Sequence, residues 1–294
     1  MKRLITALML ILLNVAAFSQ DLQGQFIEID LAREYGLFSK SPAVLRAVSI
    51  ASTKSRPKQA MLFFPGWPGI MWIPENFQPE RMVQNSSKSK FFVTKNLELF
   101  AAQEIVLVMI DCPTDEWGSS TRTRDPMGCG DSYRSSQRHA DDIRKLIRHL
   151  RERQGVEKFY VMGHSYGTIS SRWLAANLGN EIEGSIHSAS LTHLSAPQNP
   201  RLTDYGNSLP RFSNDLISQP YLYIHNDQDQ CHSNQYPSIQ KIVPDRLITV
   251  KGGIAEGDPC GGGHLHSFQG REVEALNAIL KWVNTREITP VVGE

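Results

Sequence analysis

Gly163-His164-Ser165-Tyr166-Gly167 sets a serine between two glycines, directly after the apolar run KFYVM and before a segment of helical character, Thr168 to Leu178. A serine hydroxyl attacks poorly until a base takes its proton, and that base works best when a carboxylate orients it. Candidates for both follow in the chain: Asp227 and Asp229 lie just past YLYIH, and His264 and His266 precede the last helical stretch. Together they could carry nucleophilic acyl transfer. The flanking glycines suit a turn so tight that side chains at those positions would strike the adjoining strand and helix.

These residues need a scaffold that brings them to one place. Gln59–Phe64 (QAMLFF), Ile105–Ile110 (IVLVMI), Lys158–Met162 (KFYVM) and Tyr221–His225 (YLYIH) are short apolar runs, each ending near Gly, Asp or Asn, as buried parallel strands do. Phe26–Leu31 and Val44–Ala51 alternate polar with apolar residues and read as half-buried strands. Ser136–Gln154 spaces Ile143, Leu146, Ile147 and Leu150 for one helical stripe, closed by Gly155, and Val273–Val283 repeats the pattern. Alternating strands and helices predict an α/β fold, a mostly parallel sheet covered on both faces, with chemistry at the carboxyl ends of the strands.

The order Ser, Asp, His, with the serine in a strand-turn-helix setting, resembles the α/β-hydrolase family, and the resemblance runs over most of Phe26 to Val283. It implies the α/β-hydrolase fold and an ester-cleaving serine enzyme. The family's acid often stands in a strand-Gly-x-x-Asp context. Laid on IHNDQD, this puts Asn226 at the glycine and Asp229, rather than Asp227, at the acid. The family's His-Gly-Phe resembles His266-Ser267-Phe268 better than His264-Leu265-His266, which implies His266 as the base. For the oxyanion, the resemblance implies the backbone N–H of Tyr166 and a second donor from Phe64-Pro65-Gly66-Trp67-Pro68-Gly69. Pro68 has no N–H to give, and the resemblance points to Trp67 as that donor. A cap is expected in Ser190–Gln219, too short for a multi-helix lid and therefore loop-like.

Residues 1–19 read as a secretory signal: Lys2 and Arg3 precede the apolar run Leu4–Leu13, and Ala17 and Ser19 are small residues before a cut. The remaining chain, 20–294, is expected to form a single domain in a periplasmic or secreted protein, with no stable membrane insertion. Cleavage takes the formal charge of +1 to −1, and no basic block marks a nucleic-acid partner. In an oxidising compartment the 4 cysteines should pair. The sequence-local pairing, Cys112–Cys129 and Cys231–Cys260, would tether the loop of Asp229 to that of His266. A zinc site from Cys231, His232, Cys260, His264 and His266 fits no familiar ligand spacing, and the proposed chemistry needs no metal or organic cofactor.

The substrate expected is a small ester, with a short peptide as the alternative because the same family includes proline-directed aminopeptidases. A non-catalytic binding module is the reading from a different class, and the ordered Ser, Asp and His disfavour it. Asp111 follows a strand but precedes Ser165, out of order for the acid. His139 and His149 sit on a charge-rich helix and are expected to be solvated. The apolar stretch holding Trp67, Ile70, Met71, Trp72, Ile73 and Phe77 could bind an acyl or aromatic group or pack on the sheet.

Overall fold

The computed structural model describes residues 21–117, 129–192 and 208–294. The stretch read as a signal, 1–19, and the middle of the cap stretch, 193–207, lie outside the described residues. The strands are β1 (Leu22–Tyr35), β2 (Ser41–Ser52), β3 (Gln59–Phe64), β4 (Ile105–Ile110), β5 (Lys158–His164), β6 (Gly184–Ser188), β7 (Tyr221–Asn226), β8 (Leu247–Lys251) and β9 (Val291–Gly293). They form one sheet in the order β1-β2-β4-β3-β5-β6-β7-β8-β9. β1 and β2 are an antiparallel pair, β2 joins β4 antiparallel, and every pairing from β4 to β9 is parallel.

The apolar runs become central strands because both of their faces are covered. Ala60, Leu62, Val108 and Val161 point to one face, where they meet Ile143, Leu146 and Leu150 of the helix Gln137–Gln154 and Leu174 of the helix Thr168–Leu178. Met61, Phe63, Leu107 and Met162 point to the other, against Leu276, Ile279 and Val283 of the helix Glu272–Thr285. The period-two alternation of each strand thus feeds two separate cores. Ser136 Oγ accepts the N–H of His139 (3.2 Å) to cap the helix Gln137–Gln154, and Gly155 ends it in the left-handed region at φ +69°.

His139 is a correction: it is buried, not solvated. It stands four residues before Ile143, on the apolar stripe, and packs against the rings of Phe64 (5.5 Å) and Tyr133 (4.8 Å). Burial holds its imidazole well below the ordinary histidine range, so it is neutral. His149 is half-buried, which departs from the same expectation in smaller measure.

Candidate active site

β5 delivers Ser165 to a 3₁₀ turn, Ser165–Gly167, that runs straight into the helix Thr168–Leu178. Ser165 has φ +54°, in the left-handed region that serine rarely adopts, so the turn holds real backbone strain. Both flanking glycines are required by space. A Cβ at Gly163 would stand 2.2 Å from Gly167 O, and one at Gly167 would stand 2.1 Å from Phe64 O. The turn is pinned by Thr168 Oγ1, which donates to Ser165 O (2.6 Å) and accepts from Leu191 N–H (3.2 Å). The parallel pairing of β3 with β5 sets the following loop beside the serine: a Cβ on Gly66 would lie 3.2 Å from Ser165 Cβ.

Asp229 lies in the turn after β7, where Asn226 shapes the chain by accepting from Gln228 N–H (2.9 Å) and donating to Gly252 O (2.9 Å). The Asp229 side chain is fully buried. Its Oδ2 is 2.8 Å from His266 Nδ1 and 3.1 Å from His225 Nε2, while Oδ1 accepts the N–H of Cys231 (2.9 Å). Burial alone would raise this carboxyl's pKa. The hydrogen bonds from His225 and His266 outweigh it and hold Asp229 ionised, well below the usual carboxylate range.

An ionised carboxylate only accepts, so His266 carries a proton on Nδ1, and its neutral form offers the lone pair at Nε2. That Nε2 is buried and has no hydrogen-bond partner among the described residues. The same logic fixes His225: Nε2 faces two acceptors, Asp229 Oδ2 and Asn234 O (3.0 Å), so it bears the hydrogen. His164, the residue before Ser165, bridges the halves of the site. Its Nδ1 meets Ser188 Oγ (3.1 Å), its Nε2 meets Ser267 Oγ (3.3 Å), and its ring packs 5.0 Å from that of His266. Burial and the neighbouring His266 keep His164 neutral.

The candidates separate clearly. Ser165 stands at the turn, and Asp229 with His266 forms a pair. His264 is buried, with Nδ1 lacking a partner among the described residues, and holds the loop through its carbonyl, which accepts from the N–H groups of Ser267 and Gln269. Asp227 is tied by its backbone to Val250 O (3.1 Å) and touches neither histidine among the described contacts. Asp111, set aside for its place in the chain order, is a buried clamp that accepts from Met71 N–H (2.7 Å), Ile73 N–H (2.8 Å) and Cys112 N–H (2.8 Å).

Trp67 lies on the loop beside Ser165, its ring 5.3 Å from that of Tyr166. Cys112 is bonded to Cys129 and Cys231 to Cys260, so no thiolate remains for a metal at the Cys231, His232, Cys260 cluster. The second bridge joins the loop of Asp229 to the segment that leads to His266. His225 and His164 escaped the sequence reading, because a buried histidine that positions a neighbour has the same letter as a solvated one.

The mostly parallel sheet with helices on both faces agrees with comparisons to known proteins. A family model described as the alpha/beta hydrolase fold matches residues 121–205. The chain has the α/β-hydrolase fold. A putative dienelactone hydrolase of Klebsiella pneumoniae superposes with TM-score 0.54 at 9% identity, covering 90% of this chain and 99% of that one. Est1E of Butyrivibrio proteoclasticus with ferulic acid bound gives 0.53 at 13%, covering 82% and 95%. A Pyrococcus furiosus esterase gives 0.51 at 10%, covering 90% and 92%. No curated protein matches the chain. At these identities the α/β-hydrolase likeness is one of architecture.

Proposed function

We propose that this α/β-hydrolase is an exported serine hydrolase that cleaves a carboxylic ester through an acyl-enzyme. Ser165 Oγ attacks the carbonyl carbon while His266 Nε2 takes its proton, and Asp229 holds the imidazole in the tautomer that leaves Nε2 free. The tetrahedral oxyanion is met by the backbone N–H groups of Tyr166 and Trp67. The intermediate expels the alcohol, which takes the proton back from His266, and water then enters by the same route to release the acid. One observation carries the reading: a serine held at φ +54° where a strand enters a helix, in a fold whose Asp–His pair leaves one imidazole nitrogen without a partner among the described residues. Absence of a Ser165–His266 hydrogen bond is no obstacle, since catalytic contacts in free enzymes often close only with substrate present.

Two disulfides are compatible with an extracellular or periplasmic protein, and no helix among the described residues is long and apolar enough to cross a membrane. The test is kinetic. With a short-chain nitrophenyl ester the wild type should give a burst of nitrophenol matching the enzyme concentration, and aminoacyl anilides should react far more slowly. Ser165→Ala should lose about 10⁴-fold or more in kcat. Anilides turned over faster than esters would transfer the same residues to a peptidase.

A further inference from the structure

The loop that follows β3 divides its apolar residues into two sets. Ile70 and Ile73 are buried, whereas Trp67 and Trp72 are 45% and 46% exposed. Trp72 is held that way by a specific device. Its φ is +56°, a conformation in which a bulky residue is costly, and the residues on either side donate their N–H groups to the buried carboxylate of Asp111. The clamp turns the two flanking residues inward and the tryptophan outward. Trp117 backs the ring edge-on at 5.4 Å, and its own Nε1 donates to Cys112 O (2.7 Å), beside the Cys112–Cys129 bridge.

The rest of the loop is equally fixed. Buried Arg134 donates to Gly69 O (3.3 Å), Cys129 O (2.9 Å) and Ser170 Oγ (2.7 Å). Cys129 N–H donates to Pro68 O (3.0 Å). At the other end the loop touches the serine turn through Gly66. A solvent-exposed tryptophan that costs backbone strain, a buried carboxylate and a disulfide-anchored backing ring is not what a simple surface turn requires.

We infer that Trp72, backed by Trp117 on the loop that meets the serine turn at Gly66, is a rigid platform that binds an aromatic ring of the ester. The inference rests on the serine-hydrolase reading and names its substrate class: esters carrying a phenyl-type group on the acyl or the alcohol side. A flat, pre-fixed indole offers contact area without ordering cost, and edge or offset stacking of a second ring adds to it.

The test compares ethyl 3-phenylpropanoate and benzyl acetate with ethyl acetate, followed by pH-stat, in the wild type, Trp72→Gly, Trp72→Phe and Ser165→Ala. Glycine accepts φ +56° without strain, so Trp72→Gly should fold, and Trp72→Phe keeps a ring. Trp72→Gly should lose about tenfold in kcat/KM for one aromatic ester and stay within about twofold on ethyl acetate, with Trp72→Phe recovering most of the loss. The aromatic ester that responds identifies the side that docks. An unchanged aromatic-to-acetate ratio in Trp72→Gly would overturn the platform. Turnover surviving in Ser165→Ala would instead overturn the nucleophile. A readout free of turnover separates the two further: in Ser165→Ala, the indole N–H resonance of Trp72, assigned by its loss in the glycine variant, should shift saturably with ethyl 3-phenylpropanoate. A resonance that stays put contradicts the inference.

Discussion

Asp229 is the most heavily held side chain of the site. It receives His266, His225 and the N–H of Cys231, so both oxygens are committed and the carboxylate cannot turn away from the imidazole. His225 is a positioning residue in this account. A hydrogen bond to a charged group contributes about 1.5–3 kcal/mol, so His225→Leu should reduce kcat/KM by about ten- to a hundredfold. The sign of the pH effect follows from the cause. Stripped of one donor, the ionised Asp229 pulls harder on the Nδ1–H of His266 and favours the doubly protonated imidazole, so the acid-side loss of activity should move to higher pH. His225→Gln, which retains an N–H donor, should restore much of the rate and move the acid limb back. An acid limb that stays in place in His225→Leu would leave His225 a packing residue.

At the scale of elements, the turn at Ser165 and the loop after β3 are two pieces of backbone in contact, and two glycines test them differently. Gly167→Ala meets Phe64 O at 2.1 Å and Pro65 O at 2.7 Å, backbone atoms that cannot yield, so a loss above about 3 kcal/mol is expected in urea unfolding. Gly66→Ala is crowded only by Ser165 Cβ at 3.2 Å, with His164 O at 3.5 Å and Ser165 Oγ at 3.7 Å in ordinary contact, so stability should hardly change while kcat falls as the nucleophile is displaced. The Cys231–Cys260 bridge, with a sequence separation of 29, should contribute about 3–4 kcal/mol through the unfolded chain, which the double alanine variant would reveal in its denaturation midpoint.

The elements that the sequence disclosed are unbroken apolar runs and the helical segment that follows the glycine-bounded serine turn. QAMLFF and IVLVMI are β3 and β4 at their full lengths, and the helix Thr168–Leu178 has the bounds expected of it. β6 was hard to see because GSIHS buries Ser185, His187 and Ser188, polar side chains that look like a loop. His187 is nevertheless satisfied by Ser171 Oγ (2.8 Å) and Ser185 Oγ (3.2 Å). The clamp by Asp111 was illegible for another reason: it joins residues about forty apart, and local pattern carries no trace of such a contact.

Over the whole molecule, burial sets the response to acid. His139, His164 and His187 are all buried and held neutral well below the ordinary histidine range, each chiefly by desolvation. Such a group takes up a proton only on unfolding. Its contribution is therefore complete above the unfolded pKa of about 6.5 and is lost as pH falls below that value towards the folded pKa. Each contributes up to about 1.4 kcal/mol per pH unit in that range. The urea midpoint should hold steady from pH 8 to 7 and drop sharply by pH 5.5, whereas Asp229, ionised throughout, adds no slope there. Equal midpoints at pH 7.5 and 5.5 would mean that these imidazoles are hydrated.

The most direct measurement of the central claim is covalent. A fluorophosphonate offered to the folded protein, followed by intact mass and peptide mapping, should add one label per chain, on the peptide containing Ser165. The label should disappear in Ser165→Ala and form far more slowly in His266→Ala. A folded wild type that takes no label, or a label mapped to another residue, would contradict the account.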